Sequence, residues 1–103
     1  MPERNITKRI DSKEIQGEGS YVVLRRLTIG YVKAMRRNEK GESNLELNEQ
    51  AVLDHLVEWN WVDSDGKPLP IPKDAPEILD AMTFEETDFL IGSLFGSDEV
   101  RKN

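Results

Sequence analysis

Apolar residues in this chain come in short bursts between charged stretches, and their spacing changes from one burst to the next. Residues 1–19 are polar, with Ile6, Ile10 and Ile15 as the only branched aliphatics. Ile6 and Ile10 fall on one face of an extended chain, which predicts a short edge strand near residues 5–10. Gln16-Gly17-Glu18-Gly19 reads as a turn. Tyr21-Val22-Val23-Leu24 is the richest run of strand-forming residues, so a strand spans about residues 20–27 and closes a hairpin on the first. Thr28 is placed to cap a helix over residues 29–39, with Ile29, Val32 and Met35 on one stripe. Residues 41–44 break it.

Asn48 is the predicted cap of a second helix, with Leu47 stapled to Val52. Its buried face is Val52, Leu53, Leu56 and Val57, and it runs to about Trp59, where the period changes to extended at Trp61. Beyond the proline-rich stretch, Asp74 and Glu77 stand at capping-box spacing with Pro76 in the first turn, and Ile78, Leu79 and Met82 facing inward. Thr83 and Glu86 repeat that spacing before a last helix with Phe84, Leu90, Ile91, Leu94 and Phe95 on its apolar side and Gly96 as its stop. The expected fold is α+β: a small antiparallel sheet or hairpin packed with about three to four short helices. Residues 1–96 form one small domain on this reading, and residues 97–103 a flexible tail.

Charge changes the picture by its distribution. Residues 1–40 hold ten Lys/Arg and five Asp/Glu, a net of +5, whereas residues 41–103 hold four and fifteen, a net of −11. Such a division either pairs inside the fold, steers a partner, or joins the basic part of one copy to the acidic part of another, a possible homo-oligomer. The absence of cysteine excludes disulfides and Cys-based zinc sites. No apolar run approaches the roughly 20 residues of a membrane span, and no signal-peptide core is seen, so no membrane association is expected and the compartment is a reducing cytoplasm.

The chemistry-bearing residues are few. His55 is the only histidine, with Asp54 and Glu58 its nearest acids, and no second histidine or glycine-rich phosphate loop supports it. A surface position is expected for it. Asp63-x-Asp65-Gly66 superficially suits calcium, but an EF-hand register would put Trp61 first and Pro72 twelfth, so the segment reads as a surface turn. Neither an enzyme, a metal site nor a cofactor is expected. The one basic cluster is Arg25, Arg26, Lys33, Arg36, Arg37 and Lys40, whose last four members recur at helical steps along one face. Tyr21 and Tyr31 flank it, but the acidic whole, with a pI near 4.8, argues against nucleic acid and for an acidic protein partner. Trp59 and Trp61 either fill the core or, on one face of an extended segment, form a contact patch. The candidate partner-binding residues are therefore Arg25, Arg26, Lys33, Arg36, Arg37, Trp59 and Trp61.

Two motifs carry a family resemblance. Leu24-Arg25-Arg26-Leu27-Thr28-Ile29-Gly30, and the run from Trp59-Asn60-Trp61-Val62-Asp63 through Ser64-Asp65-Gly66-Lys67-Pro68-Leu69-Pro70, resemble the small tail assembly chaperones of long-tailed bacteriophages. In that family a strand runs into a helix, and a tryptophan-containing turn element precedes two short acidic helices. Here the resemblance covers residues 21–95, and Tyr31 stands where the family often carries an acid. It implies a non-catalytic protein of the host cytoplasm that binds the tape measure protein and assists recruitment of the tail tube protein. Two other functions fit the charge pattern: an acidic inhibitor or decoy for a basic, nucleic-acid-binding surface of a host enzyme, and a permanent connector subunit of the particle.

Overall fold

In the computed structural model, which describes residues 6–96, the fold is α+β. The order is β1 (Thr7–Asp11), α1 (Lys13–Gln16), β2 (Tyr21–Arg25), α2 (Ile29–Arg37), α3 (Asn44–His55), β3 (Leu56–Trp59), α4 (Ile78–Ala81) and α5 (Phe84–Phe95). Three strands form an antiparallel sheet in the order β1-β2-β3. Two of the five helices among the described residues, α1 and α4, are four-residue single turns, beyond the three to four expected. The tail expected at residues 97–103 lies outside the described residues.

β1 and β2 pair from Thr7↔Arg25 to Asp11↔Tyr21; the expected turn forms at Glu18 and Gly19, and the single turn α1 precedes it. Strand alternation then turns Val22 and Leu24 to the core and Tyr21 and Val23 to the outer face. On that outer face Arg9 lies over the Tyr21 ring at 3.8 Å, and the Tyr21 hydroxyl donates to Glu58 Oε2 at 2.6 Å.

Two helix boundaries differ from the sequence reading. α3 starts after Ser43, not Asn48: Glu46 N donates to Ser43 Oγ at 3.2 Å and Ser43 N to Glu46 Oε1 at 3.0 Å, a full capping box. It ends at His55, and Leu56 enters β3 with no intervening loop. Val22 pairs with Trp59 and Leu24 with Leu56, so Val57 is the extra residue of a bulge and faces solvent. The bulge lets Leu56 and Trp59, three positions apart, both face inward. Leu56 therefore belongs to the core as expected, but as a strand residue, and Val57 does not belong to it.

Thr28 and Thr83 cap α2 and α5 as expected, and Gly96 ends α5 in the left-handed region. The Asp74–Glu77 box does not form. Residues 72–77 make turns, and α4 starts from Glu77 with no side-chain cap. Ile78, Leu79 and Met82 nonetheless pack on the core, which is built from Val22, Leu24, Ala51, Val52, Leu56, Trp59, Trp61, Leu90 and Leu94.

Candidate partner-binding surfaces

The tryptophans belong to the interior. Trp61 is wholly buried and Trp59 nearly so, with ring centroids 4.8 Å apart and planes 14° from parallel. Burying an indole requires a partner for its N–H. Trp59 Nε1 donates to the Leu69 carbonyl at 3.1 Å, because the chain doubles back at an exposed turn and lays Pro68–Leu69 along the tryptophan segment. Trp61 Nε1 donates to Ser12 Oγ at 2.8 Å; Ser12 Oγ donates to Ser20 Oγ at 2.7 Å, and Ser20 Oγ to the Gly17 carbonyl at 2.8 Å. That relay ties the β1–β2 connection to the core and leaves no indole edge for a partner. The contact-patch alternative for Trp59 and Trp61 is corrected by their burial.

The turn between them and the prolines is a backbone device. Asp63 Oδ1 accepts from Asp65 N at 2.9 Å and Lys67 N at 3.0 Å, while Gly66 takes a positive φ of 79° that suits glycine. His55 is also interior, against the surface position expected of it. Its Nδ1 lies 2.8 Å from the Ala51 carbonyl, which can only accept, so that nitrogen carries the proton. The Tyr31 ring meets His55 edge-on at 4.5 Å, and the Tyr31 hydroxyl donates to Asp54 Oδ2 at 2.7 Å. Burial first, then that hydrogen bond and the Asp54 charge, hold the Tyr31 hydroxyl well above its ordinary pKa. The only histidine thus anchors α2 to α3. No group of three or more His, Cys, Asp or Glu able to hold a metal occurs among the described residues.

The basic residues stand outside. Arg25 and Arg26 lie at the end of β2, and Lys33, Arg36 and Arg37 line the exposed side of α2, which has no buried residue. Lys40 drops off that stripe, because Asn38 ends α2 in the left-handed region and holds Glu42 through both its amide atoms. Arg37 Nε lies 3.7 Å from Glu39 Oε1, an ion pair between two exposed side chains. Such a pair is worth little. Arg25, Arg26, Lys33 and Arg36 form no ion pair among the described residues.

A second surface escaped the sequence reading. Phe84 and Leu45 are 85% and 64% exposed and line one groove of about 340 Å³ between α3 and α5. Leu79, Met82 and Ile91 continue its apolar lining; Glu49, Asp80 and Asp88 supply carboxylates. The signal was present in the spacing. Phe84, Asp88, Ile91 and Phe95 share one stripe of α5, while Leu90 and Leu94, which are buried, share another. A helix with two apolar stripes buries one and leaves the other over.

No family model, curated protein or solved structure matches this chain. Among the described residues, no helix is long and apolar enough to cross a membrane.

Proposed function

We propose that the chain is a non-catalytic tail assembly chaperone of a long-tailed bacteriophage, acting in the host cytoplasm. It binds the helical tape measure protein, keeps it soluble, and helps bring tail tube subunits to it. The observation that carries this reading is the un-neutralised basic face: Arg25, Arg26, Lys33 and Arg36 form no ion pair among the described residues. Such a face suits an acidic protein helix, which it can hold by charge while excluding competing contacts. The element order over residues 21–95 also agrees with the family pattern. A strand enters a capped helix, and the tryptophan turn leads into α4 and α5, which carry Asp80, Glu85, Glu86 and Asp88. The basic face weighs against the decoy reading, because cations on the surface repel a basic target.

The test starts from the DNA next to the gene. A very long coiled-coil reading frame immediately downstream supplies the partner, and co-expression with this chain should raise that partner's soluble fraction. Arg36→Glu with Arg37→Glu should remove the rescue. A neighbourhood without a tube or tape measure gene, or a partner equally insoluble with and without the chain, overturns the proposal.

A further inference from the structure

We propose that the groove between α3 and α5 is a docking site for a cationic amphipathic helix of a partner protein. The site is separate from the basic face of α2 and stands apart from the chaperone reading.

The walls of the groove are two helix stripes of matched length. Leu45, Asn48, Glu49 and Val52 fall at i, i+3, i+4 and i+7 of α3, and Phe84, Thr87, Asp88 and Ile91 at the same steps of α5. Each stripe covers two turns, a rise of about 10 Å. A trough between two helices is the shape that a third helix fills, its side chains entering between theirs. Its floor is the core itself, since Val52 and Leu90 are buried, whereas Phe84 and Leu45 remain exposed above them. Met82 adds an adaptable apolar contact beside Phe84. Large apolar side chains held open on one patch, with polar groups around them, mark a contact surface.

Charge says what kind of helix fits. Glu49, Asp80 and Asp88 line the groove, no Lys or Arg lines it with them, and none of the three forms an ion pair among the described residues. Three carboxylates around an apolar trough select Lys or Arg beside the apolar anchors of the incoming helix. A second copy does not supply such a helix. The exposed side of α2, the basic helix of this chain, carries Ile29 as its one large apolar group, a single anchor for a trough that is apolar on both walls. Two grooves face to face would set the same carboxylates against each other. Occupying the groove also leaves α2 free. Asp54 accepts from Tyr31 and Leu47 shares a small cavity with the end of α2, and both lie on the side of α3 opposite the groove.

Fluorescence anisotropy of a labelled leucine–lysine peptide tests this at ~150 mM NaCl. The peptide is about 14 residues long, with its leucines at i, i+3, i+4 and i+7. It should bind saturably, with a Kd of about 1–50 μM. A leucine–glutamate peptide of the same pattern should bind at least about 10-fold more weakly, and so should a leucine–lysine peptide whose leucines are spread around the helix. Phe84→Ala removes a ring that is left out of the core and should weaken binding by about 10-fold or more. Glu49→Lys with Asp88→Lys should reverse the preference, admitting the glutamate peptide and rejecting the lysine one. Arg36→Glu with Arg37→Glu, on the far side of α3, should leave the affinity undiminished, which separates this site from the basic face. Circular dichroism establishes that each variant is folded. The absence of saturable binding up to about 200 μM peptide overturns the proposal. So does equal binding of the three peptides, or binding that neither Phe84→Ala nor the charge reversal alters. Sedimentation of the chain alone addresses the remaining occupant: oligomers that Phe84→Ala dissolves would place a second copy in the groove and overturn the proposal as well.

Discussion

The tryptophan segment and helix α2 were both candidates for a partner, and the fold sends them in opposite directions. Trp59 and Trp61 bring the largest apolar side chains of the protein, and a domain of 103 residues has few other ways to fill its centre. They go inside, with each indole N–H satisfied. α2 brings mostly charge on its outer side, is held through Tyr31 and Met35, and buries no residue fully. Apolar area decides what the fold consumes, and charge left unpaired remains for other molecules. The comparison predicts that stability is concentrated in the first region and binding in the second.

The strongest way to break that comparison is Trp61→Ala. It removes a wholly buried indole, its stack on Trp59 and the donor to Ser12. A loss of about 3–5 kcal/mol is expected, a large share of a small domain's stability, read as a collapse of the urea midpoint. A loss below about 1 kcal/mol would show that the pair is not the centre of the core.

Leu56→Ala comes next, at about 2–5 kcal/mol. Its neighbour sharpens the test. Val57 is the outward residue of the bulge, so Val57→Ala should stay within about 0.5 kcal/mol. Had α3 continued to Trp59, Leu56 and Val57 would both lie on its buried face and the two substitutions would cost alike. Equal losses would therefore restore the continuous helix.

Those two residues also show what was legible in the sequence. Leu56 and Val57 stand at helical spacing from Val52 and Leu53, so periodicity carried the helix through them. Pairing with β2 overrides it, and a partner strand more than thirty residues away leaves no local trace. Local capping signals were right at Thr28, Thr83-x-x-Glu86 and Gly96 and wrong at Asn48 and Asp74-x-x-Glu77, where a cap residue was present but the helix started elsewhere. The basic residues were found by charge alone, and all lie at the surface. Phe84 reads as one apolar side with Leu90 and Leu94, and Ile29 as one stripe with Val32 and Met35, yet both are exposed, because hydrophobicity does not say which part of an apolar side a helix buries. Only the packing decides.

A smaller effect tests the start of α3. Ser43→Ala should cost about 1 kcal/mol, since it removes the acceptor for Glu46 N, while the backbone N–H of residue 43 still donates to the Glu46 carboxylate. That bond to Ser43 N also holds the Glu46 carboxyl below its ordinary pKa. A depressed carboxyl contributes stability above its unfolded pKa and loses it as pH falls. The backbone bond is common to wild type and Ser43→Ala, so the gap between them should narrow in acid only by the smaller share that the Ser43 side chain adds. Asn48→Ala, mid-helix, should cost less than Ser43→Ala. The reverse order in thermal melts would return the cap to Asn48.

The finest test concerns a polar tie between α2 and α3. Tyr31→Phe keeps the ring against His55 and removes only the hydroxyl that donates to Asp54. At neutral pH it should cost about 0.5–1.5 kcal/mol, the net worth of one hydrogen bond. Its pH dependence identifies the contact. The folded state holds the Tyr31 hydroxyl above its ordinary pKa of 10.0 by burial and by the bond to Asp54, so the neutral phenol is the form that folding favours. A group raised in this way contributes fully below its unfolded pKa and loses that contribution as pH rises beyond it. The wild type should therefore lose stability in alkali faster than Tyr31→Phe, and their urea midpoints should converge above about pH 10. Tyr21, raised chiefly by its bond to Glu58, titrates in both proteins and cancels from the comparison. A gap that stays constant through the alkaline range would mean that Tyr31 is not tied to Asp54, and that α2 is held by the apolar contacts of Tyr31 and Met35 alone.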